Sequence, residues 1–282
     1  MLSIIISTYR PAFLEALSRN IADTVGIEYE IIAIENPGTM GISRAYNQGA
    51  AKAVYDTLCF LHEDVAFLTE DWGKIIIREL EENNSSLIGL AGSQYKPAFI
   101  SGWTTGIEDY DRVNIFQRGN DGVNHHYYSN PQKETMSPVV VVDGVCMFIR
   151  KQVFDRFRFN EEISGYHFYD LDLSLRLHNA GLKVLVSFSV DLVHFSMGKF
   201  DDSWFREALN FHRSFRKILP RQISGNRISG SAIRKIKMMW AVRLHGDGLS
   251  KKNQRALHLN YGMFIFYRIS FKAVSILKRA FS

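Results

Sequence analysis

Residues 57–67 read TLCFLHEDVAF, an apolar run closed by His62, Glu63 and Asp64 before apolar residues resume. Charged groups taken out of water are costly unless they are paired or bound to a cation. Two readings follow: a strand running out into solvent, or a strand that exists to hold these groups at a ligand. Comparable chemistry recurs along the chain. YDLDL (169–173) sets Asp170 and Asp172 in the first turn of a helical pattern, and VDLVHF (190–195) closes a strand-like run on His194. A carboxylate at an attacking hydroxyl does general-base work, and carboxylate with imidazole makes a ligand set for a divalent cation. Each feature also has a plainer reading. Acids in a first helical turn complement the helix dipole, and Arg176, four residues after Asp172, suits an ordinary ion pair.

The elements that must position these groups are legible as alternating patterns. Strand-like runs at 2–8, 29–35, 57–65, 86–92, 139–150 and 183–195 alternate with helical spacing at 11–25, 41–56, 70–83 and 168–181. Pro11 suits a first helical turn, Thr69 or Asp71 is the expected cap of the helix near 70–83, and a glycine closes the helix at 168–181. Continuous apolar strands between helices predict an α/β chain with a mostly parallel sheet covered on both faces, its ligands at the carboxyl ends of the strands. Those ends carry Thr8, Tyr9 and Arg10, then Glu35 and Asn36, then the 62–64 cluster. Arg44 and Asn47 lie three apart, on one face of a helix. Residues 93–137 lack sustained periodicity and read as a long functional loop, with Trp103, His125 and His126 inside it.

Bulk properties narrow the class. The chain has 282 residues, 46% of them hydrophobic, and two cysteines, Cys59 and Cys146, each inside an apolar run. That pattern suits buried thiols of a reducing compartment rather than a disulfide framework or a zinc site. No stretch approaches the roughly 18 apolar residues of a spanning helix, and the start carries no basic leader. Charge is uneven. Residues 1–202 hold 17 Lys+Arg against 27 Asp+Glu, whereas residues 203–282 hold 17 against 2. A basic tail on an acidic body calls for an anionic partner.

Taken in order, LSIIIST, YEIIAIE, GISRAYNQG, FLHEDV, DGVCMFIRKQVF, YDLDLSLRLHNAGLKV and VDLVHFS resemble the family 2 glycosyltransferases with the GT-A fold, in the glycosyltransferase-like family 2 branch. The resemblance covers about residues 2–200. It implies a GT-A type Rossmann-like sandwich over 1–200, with a nucleotide-sugar half at about 1–92 and an acceptor half at about 138–200. A basic helical extension follows at 201–282. It implies a metal-dependent, inverting transfer from a nucleoside-diphosphate sugar, UDP favoured, to a glycan or lipid-linked acceptor. Asp64 and His194 would hold Mn²⁺ or Mg²⁺. Asp170 would be the base, with Asp172 supporting it. Thr8, Tyr9, Arg10, Glu35, Asn36, Arg44, Asn47, His62 and Glu63 would line the donor site, and Asp143, Gly144 and Trp103 the acceptor site. Gly144 would let a sugar approach the backbone closely.

Two positions depart from the family's pattern. His62 stands where an Asp leads the acidic cluster, and Tyr169 where a Glu opens the Glu-Asp-x-Asp-Leu segment. A neutral imidazole can still hydrogen-bond ribose. The rivals are a nucleotidyltransferase, which STYRPAF matches poorly, and a silent carbohydrate- or nucleotide-binding relative. The tail mixes Lys and Arg with large apolar residues, a composition for an anionic bilayer surface or for packing on the acidic body. No nucleic-acid module accompanies it. The expected location is cytoplasmic, peripheral at the inner face of the plasma membrane where the tail meets lipid.

Overall fold

The computed structural model describes residues 1–196, 198–223, 228–246 and 249–261. Strand β1 (Leu2–Thr8) is buried along almost its whole length, as a central strand covered on both faces must be. It pairs in parallel with β2 (Tyr29–Glu35) and β3 (Thr57–Leu61), so Thr8 lies level with Glu35. The crossovers are α1 (Pro11–Thr24), with Pro11 in its first turn, and α2 (Ile42–Lys52). Gly49 lets α2 lie close on β1, since a Cβ there would stand 2.3 Å from Ile5.

Beyond β3 the chain passes between two sheets. It runs through β4 (Val65–Phe67), α3 (Trp72–Glu82), β5 (Leu87–Gly89), β6 (Ala91–Ser93) and β7 (Tyr95–Lys96). Next come β8 (Asp111–Arg118), β9 (Asn124–Ser129), β10 (Met136–Pro138), β11 (Val141–Val142) and β12 (Cys146–Arg150). Helices α4 (Lys151–Phe157) and α5 (Tyr169–Asn179) follow, then β13 (Val184–Ser187) and β14 (Leu192–His194). The seven-stranded sheet has the order β10-β13-β5-β12-β3-β1-β2. Five of its strands run one way, while β12 and β10 are reversed. The second sheet has the order β11-β6-β8-β14-β4, with β9 on β8.

Several runs expected as single strands are divided. The stretches 57–65, 86–92, 139–150 and 183–195 each give one strand to the first sheet and another to the second. Both sheets are buried against each other, so the apolar run continues through the bend and hides it. The segment 93–137 is also a correction, because it holds β7, β8, β9 and the start of β10. Several of its buried positions are polar, which breaks the apolar alternation. Buried Asp111 accepts hydrogen bonds from Thr104, Thr105 and Gly106, and buried Arg112 donates to Gln94, Gln132 and Ser137. Asp71 precedes α3 in a left-handed conformation and its side chain caps nothing, while the Thr69 hydroxyl accepts from the Asp191 N–H. Gly181, just past α5, has φ +76° and closes that helix as expected.

The C-terminal elements are α6 (Asp202–Ser214), β15 (Arg221–Gln222), which pairs with β7, α7 (Gly230–Gly246) and α8 (Lys251–Tyr261). Their apolar faces share one cluster with the body. Trp204, Phe205 and Phe211 of α6 and Trp240 of α7 pack with Tyr95, Val140, Phe168 and Leu171. The Lys96 ammonium is wholly buried there and donates to the Ser101 carbonyl (2.8 Å), the Ser101 hydroxyl (2.6 Å) and His212 Nε2 on α6 (3.1 Å). The basic segment expected to be helical from residue 262 onward lies outside the described residues. No helix among the described residues is long and apolar enough to cross a membrane.

Candidate active site

The first shared feature of the site is a carboxylate turned inward. Glu63 follows β3 and reaches across to the end of β1. Its Oε2 accepts from the Thr8 hydroxyl (2.6 Å) and the Tyr9 and Arg10 N–H groups (3.1 and 3.2 Å), and its Oε1 from Arg10 Nε (3.1 Å). Glu63 and Thr8 were both expected to face a donor. In the structure they are buried and hold one another, which fixes the loop that presents Tyr9 and Arg10. Tyr9 is 60% exposed, and the Arg10 guanidinium lies over the Tyr9 and Phe13 rings at 4.8 and 4.2 Å.

Asn36 and Asn47, also expected at the donor, likewise hold backbone groups in the structure. Asn36 is buried; its amide donates to the Met40 carbonyl and accepts from the Met40 N–H, closing the 36–40 turn. Asn47 on α2 clasps both the N–H and the C=O of Phe159, at 3.1 and 2.9 Å, and donates to Glu161. Amide side chains are the ones able to give and take at once, so buried Asn suits loop fixing as well as ligand contact. Glu35 and Arg44 are exposed on the donor-side strand and helix.

Next to Glu63, three groups converge on one point. His194 Nε2 at the end of β14 lies 3.6 Å from Asp64 Oδ1, and His62 Nδ1 lies 4.0 Å from the same atom. All three ligand atoms stand within 4.8 Å of one another. Two ligands each about 2.1 Å from a cation stand at most about 4.2 Å apart, so the set closes on an ion with a shift of well under an ångström. The protonation states suit it. Burial works to raise Asp64, but hydrogen bonds from His194 and Ser196 and the nearby imidazoles hold it well below the usual carboxylate range. Burial, and then His194, lowers His62 toward the neutral form. An ionised carboxylate with neutral imidazole is what a divalent cation needs. Arg10 Nη2 lies 3.8 Å from Asp64 Oδ2.

The second half of the site hangs from the start of α5. Asp170 is buried there, and burial first, then the Asp143 charge, pushes its carboxyl up to about 8. Its Oδ1 accepts from the Leu171 N–H at 2.9 Å. Asp143 is half-buried between β11 and β12 and accepts from the Val145 N–H. Asp172, expected as a supporting catalytic acid, is engaged by a neighbouring cation. It is buried in a pair with Arg176 at 2.7 Å, the i,i+4 spacing noted in the sequence, and Arg176 also holds the Phe157 and Arg158 carbonyls. Gly144 has a packing requirement of its own. A Cβ there would stand 2.2 Å from the Tyr169 hydroxyl. Trp103 is half-buried against two apolar clusters.

Tyr169 joins the halves. Its hydroxyl lies 3.1 Å from the Gly144 carbonyl and 3.0 Å from His62 Nε2. Sequence reasoning noted Tyr169 only as a departure and did not place it in the site. It also missed Tyr166, which lies beside Tyr9 and the Asn36 amide, and Ser196, whose hydroxyl lies 3.4 Å from His194 Nε2. Ser196 directly follows the strand that carries His194, which is a readable signal, whereas Tyr166 sits in a loop with none.

A family model described as "Glycosyltransferase like family" matches residues 5–213. The streptomycin biosynthesis protein StrF of Streptomyces griseus is 23% identical over 208 residues, covering 70% of this chain and 68% of that protein. Among solved structures, GalNAc-T7 with UDP, GalNAc and Mn²⁺ superposes with a TM-score of 0.55 at 9% identity. The match covers 98% of this chain but 57% of that one, so this chain spans little more than half its length. S. aureus TarS 1–349 superposes with a TM-score of 0.50 at 12% identity, over 96% of this chain and 76% of that chain. These likenesses carry the fold.

Proposed function

The chain belongs to the glycosyltransferase-like family and has the GT-A type fold, and from that premise we propose a metal-assisted, inverting sugar transfer. The donor is a nucleoside-diphosphate sugar, with UDP favoured, and the acceptor is a glycan or lipid-linked saccharide. One observation carries this reading: a ligand set at the ends of β3 and β14 is hydrogen-bonded to Tyr169, the chain neighbour of a buried carboxyl raised to about 8.

The roles follow from the chemistry of the groups. Asp64 and His194 would hold Mn²⁺ or Mg²⁺, and a divalent cation bound there would neutralise charge developing on the leaving diphosphate. Tyr9 offers an exposed ring on which a nucleobase stacks, and Arg10 brings a guanidinium toward the diphosphate. The Asp170 carboxylate takes the proton from the acceptor hydroxyl as its oxygen bonds to the anomeric carbon and the diphosphate leaves. A single displacement of this kind inverts the anomeric centre, and Tyr169 in place of a second acid leaves Asp170 as the base. Burial, and then the Asp143 charge, keeps the Asp170 carboxyl basic, raised to about 8.

Asp170→Asn tests the assignment. The expected result is loss of sugar transfer with UDP binding in the presence of Mn²⁺ unchanged by calorimetry. Transfer at the wild-type rate would remove Asp170 from the mechanism.

A further inference from the structure

The two departures from the family's motifs touch each other. His62 and Tyr169 are 107 residues apart in sequence, and His62 Nε2 lies 3.0 Å from the Tyr169 hydroxyl. A third group bears on the direction of that bond. The hydroxyl also lies 3.1 Å from the Gly144 carbonyl oxygen, which can only accept and so draws its single hydrogen, while the Tyr46 hydroxyl beside it can donate as well as accept. The phenol oxygen is left to accept, and the donor is then the Nε2–H of His62. A neutral imidazole protonated at Nε2 carries its lone pair on Nδ1. Nδ1 is the atom that faces Asp64 Oδ1, within the convergent set completed by His194. The missing side chain at Gly144 makes room for the arrangement.

We infer that Tyr169 is a positioning residue that holds His62 in its Nε2–H tautomer and so makes His62 a third ligand of the cation site, rather than a ribose contact. The inference rests on the cation site of the proposed function and deepens it. Two imidazoles and one carboxylate form a different set from the carboxylate pair that His62 interrupts. Imidazole suits first-row transition ions, while Mg²⁺ prefers oxygen. The site therefore selects Mn²⁺ or Co²⁺ over Mg²⁺. A ligating histidine whose other nitrogen donates to a fixed oxygen is also more rigidly oriented.

Two measurements on the full chain test this. Side-chain ¹⁵N NMR of the metal-free protein reads the tautomer directly, and calorimetry with Co²⁺, Mn²⁺ and Mg²⁺, each with and without UDP, reads the site. The expected His62 signature is Nε2–H, shifting toward a mixture in Tyr169→Phe. Co²⁺ should bind more tightly than Mg²⁺, and Tyr169→Phe should weaken Co²⁺ binding about tenfold or more. In a His62→Ala background, Tyr169→Phe should add no further loss. An Nδ1–H tautomer in the wild type, or losses that simply add, overturns the inference without requiring any variant to be active. Co²⁺ binding that Asp64→Ala abolishes and His62→Ala leaves intact would sink the His62 assignment while keeping the cation site. No binding of any of the three ions, with or without UDP, would remove both.

Discussion

Replacing Glu63 separates a carboxylate that holds a loop from one that meets a ligand. Glu63→Ala leaves the Thr8 hydroxyl and the Tyr9 and Arg10 N–H groups without their shared acceptor. Glu63 is 5% exposed and Thr8 6%, so water replaces little of what is lost. A hydrogen bond to a charged group contributes about 1.5–3 kcal/mol, and losing one partner of a buried ionic set costs about 3–5 kcal/mol. The Arg10 share counts for less, because its side chain is 39% exposed and solvent screens the pair. The expected destabilisation is therefore about 3–5 kcal/mol. Glu63→Gln keeps one carbonyl oxygen for the same three donors and loses mainly the charge, at about 1 kcal/mol. Urea unfolding followed by tryptophan fluorescence measures both. At roughly 2–4 °C per kcal/mol for a chain of this size, Ala lowers Tm by roughly 6–20 °C and Gln by a few degrees. An Ala variant within 1 kcal/mol of wild type would refute the loop-holding role. So would a Gln variant of unchanged stability that binds UDP poorly, because that is how a donor contact behaves.

Three further outcomes follow from the site. With the Asp170 carboxyl raised to about 8, only about a tenth of it is ionised at pH 7, so kcat/KM should rise about tenfold per pH unit up to about 8 and then level. Asp143→Asn removes a like charge that raises Asp170, so the rising limb should move to lower pH; a profile flat from pH 6 to 9 would exclude Asp170 as the base. Asn47→Ala should cost about 2–4 kcal/mol in urea unfolding, because it orphans the buried N–H and C=O of Phe159. A raised KM for the donor with unchanged stability would instead return Asn47 to ligand contact.

The positions of the chemical groups were more legible than their tasks. His62, Asp64 and His194 stood out because titratable residues closed apolar runs, and Asp170 because it opened a helical pattern; all four stand at element ends in the structure. Residue type alone could not divide Tyr9 and Arg10 from Thr8, Asn36, Asn47 and Glu63. All six are polar groups near strand ends or on the adjoining helix, and which of them turns inward depends on partners up to 112 residues away. The second sheet was hidden for two reasons. Apolar runs do not show where a buried strand changes sheets, and β8 carries Asp111, Arg112 and Asn114 on buried positions where alternation predicts apolar residues. Tyr169 was visible as an anomaly, but its meaning required seeing His62 beside it.

The buried ammonium of Lys96 bears on how the molecule can be dissected. One of its three acceptors comes from α6, beyond the point where the sequence suggests an appended tail. Limited proteolysis that removed everything after residue 200 would take the His212 acceptor away from that amine and open Val140, Phe168 and Leu171 to solvent beside Asp170. Cleavage and loss of the whole tertiary structure should then coincide, with no trimmed core surviving as a working fragment.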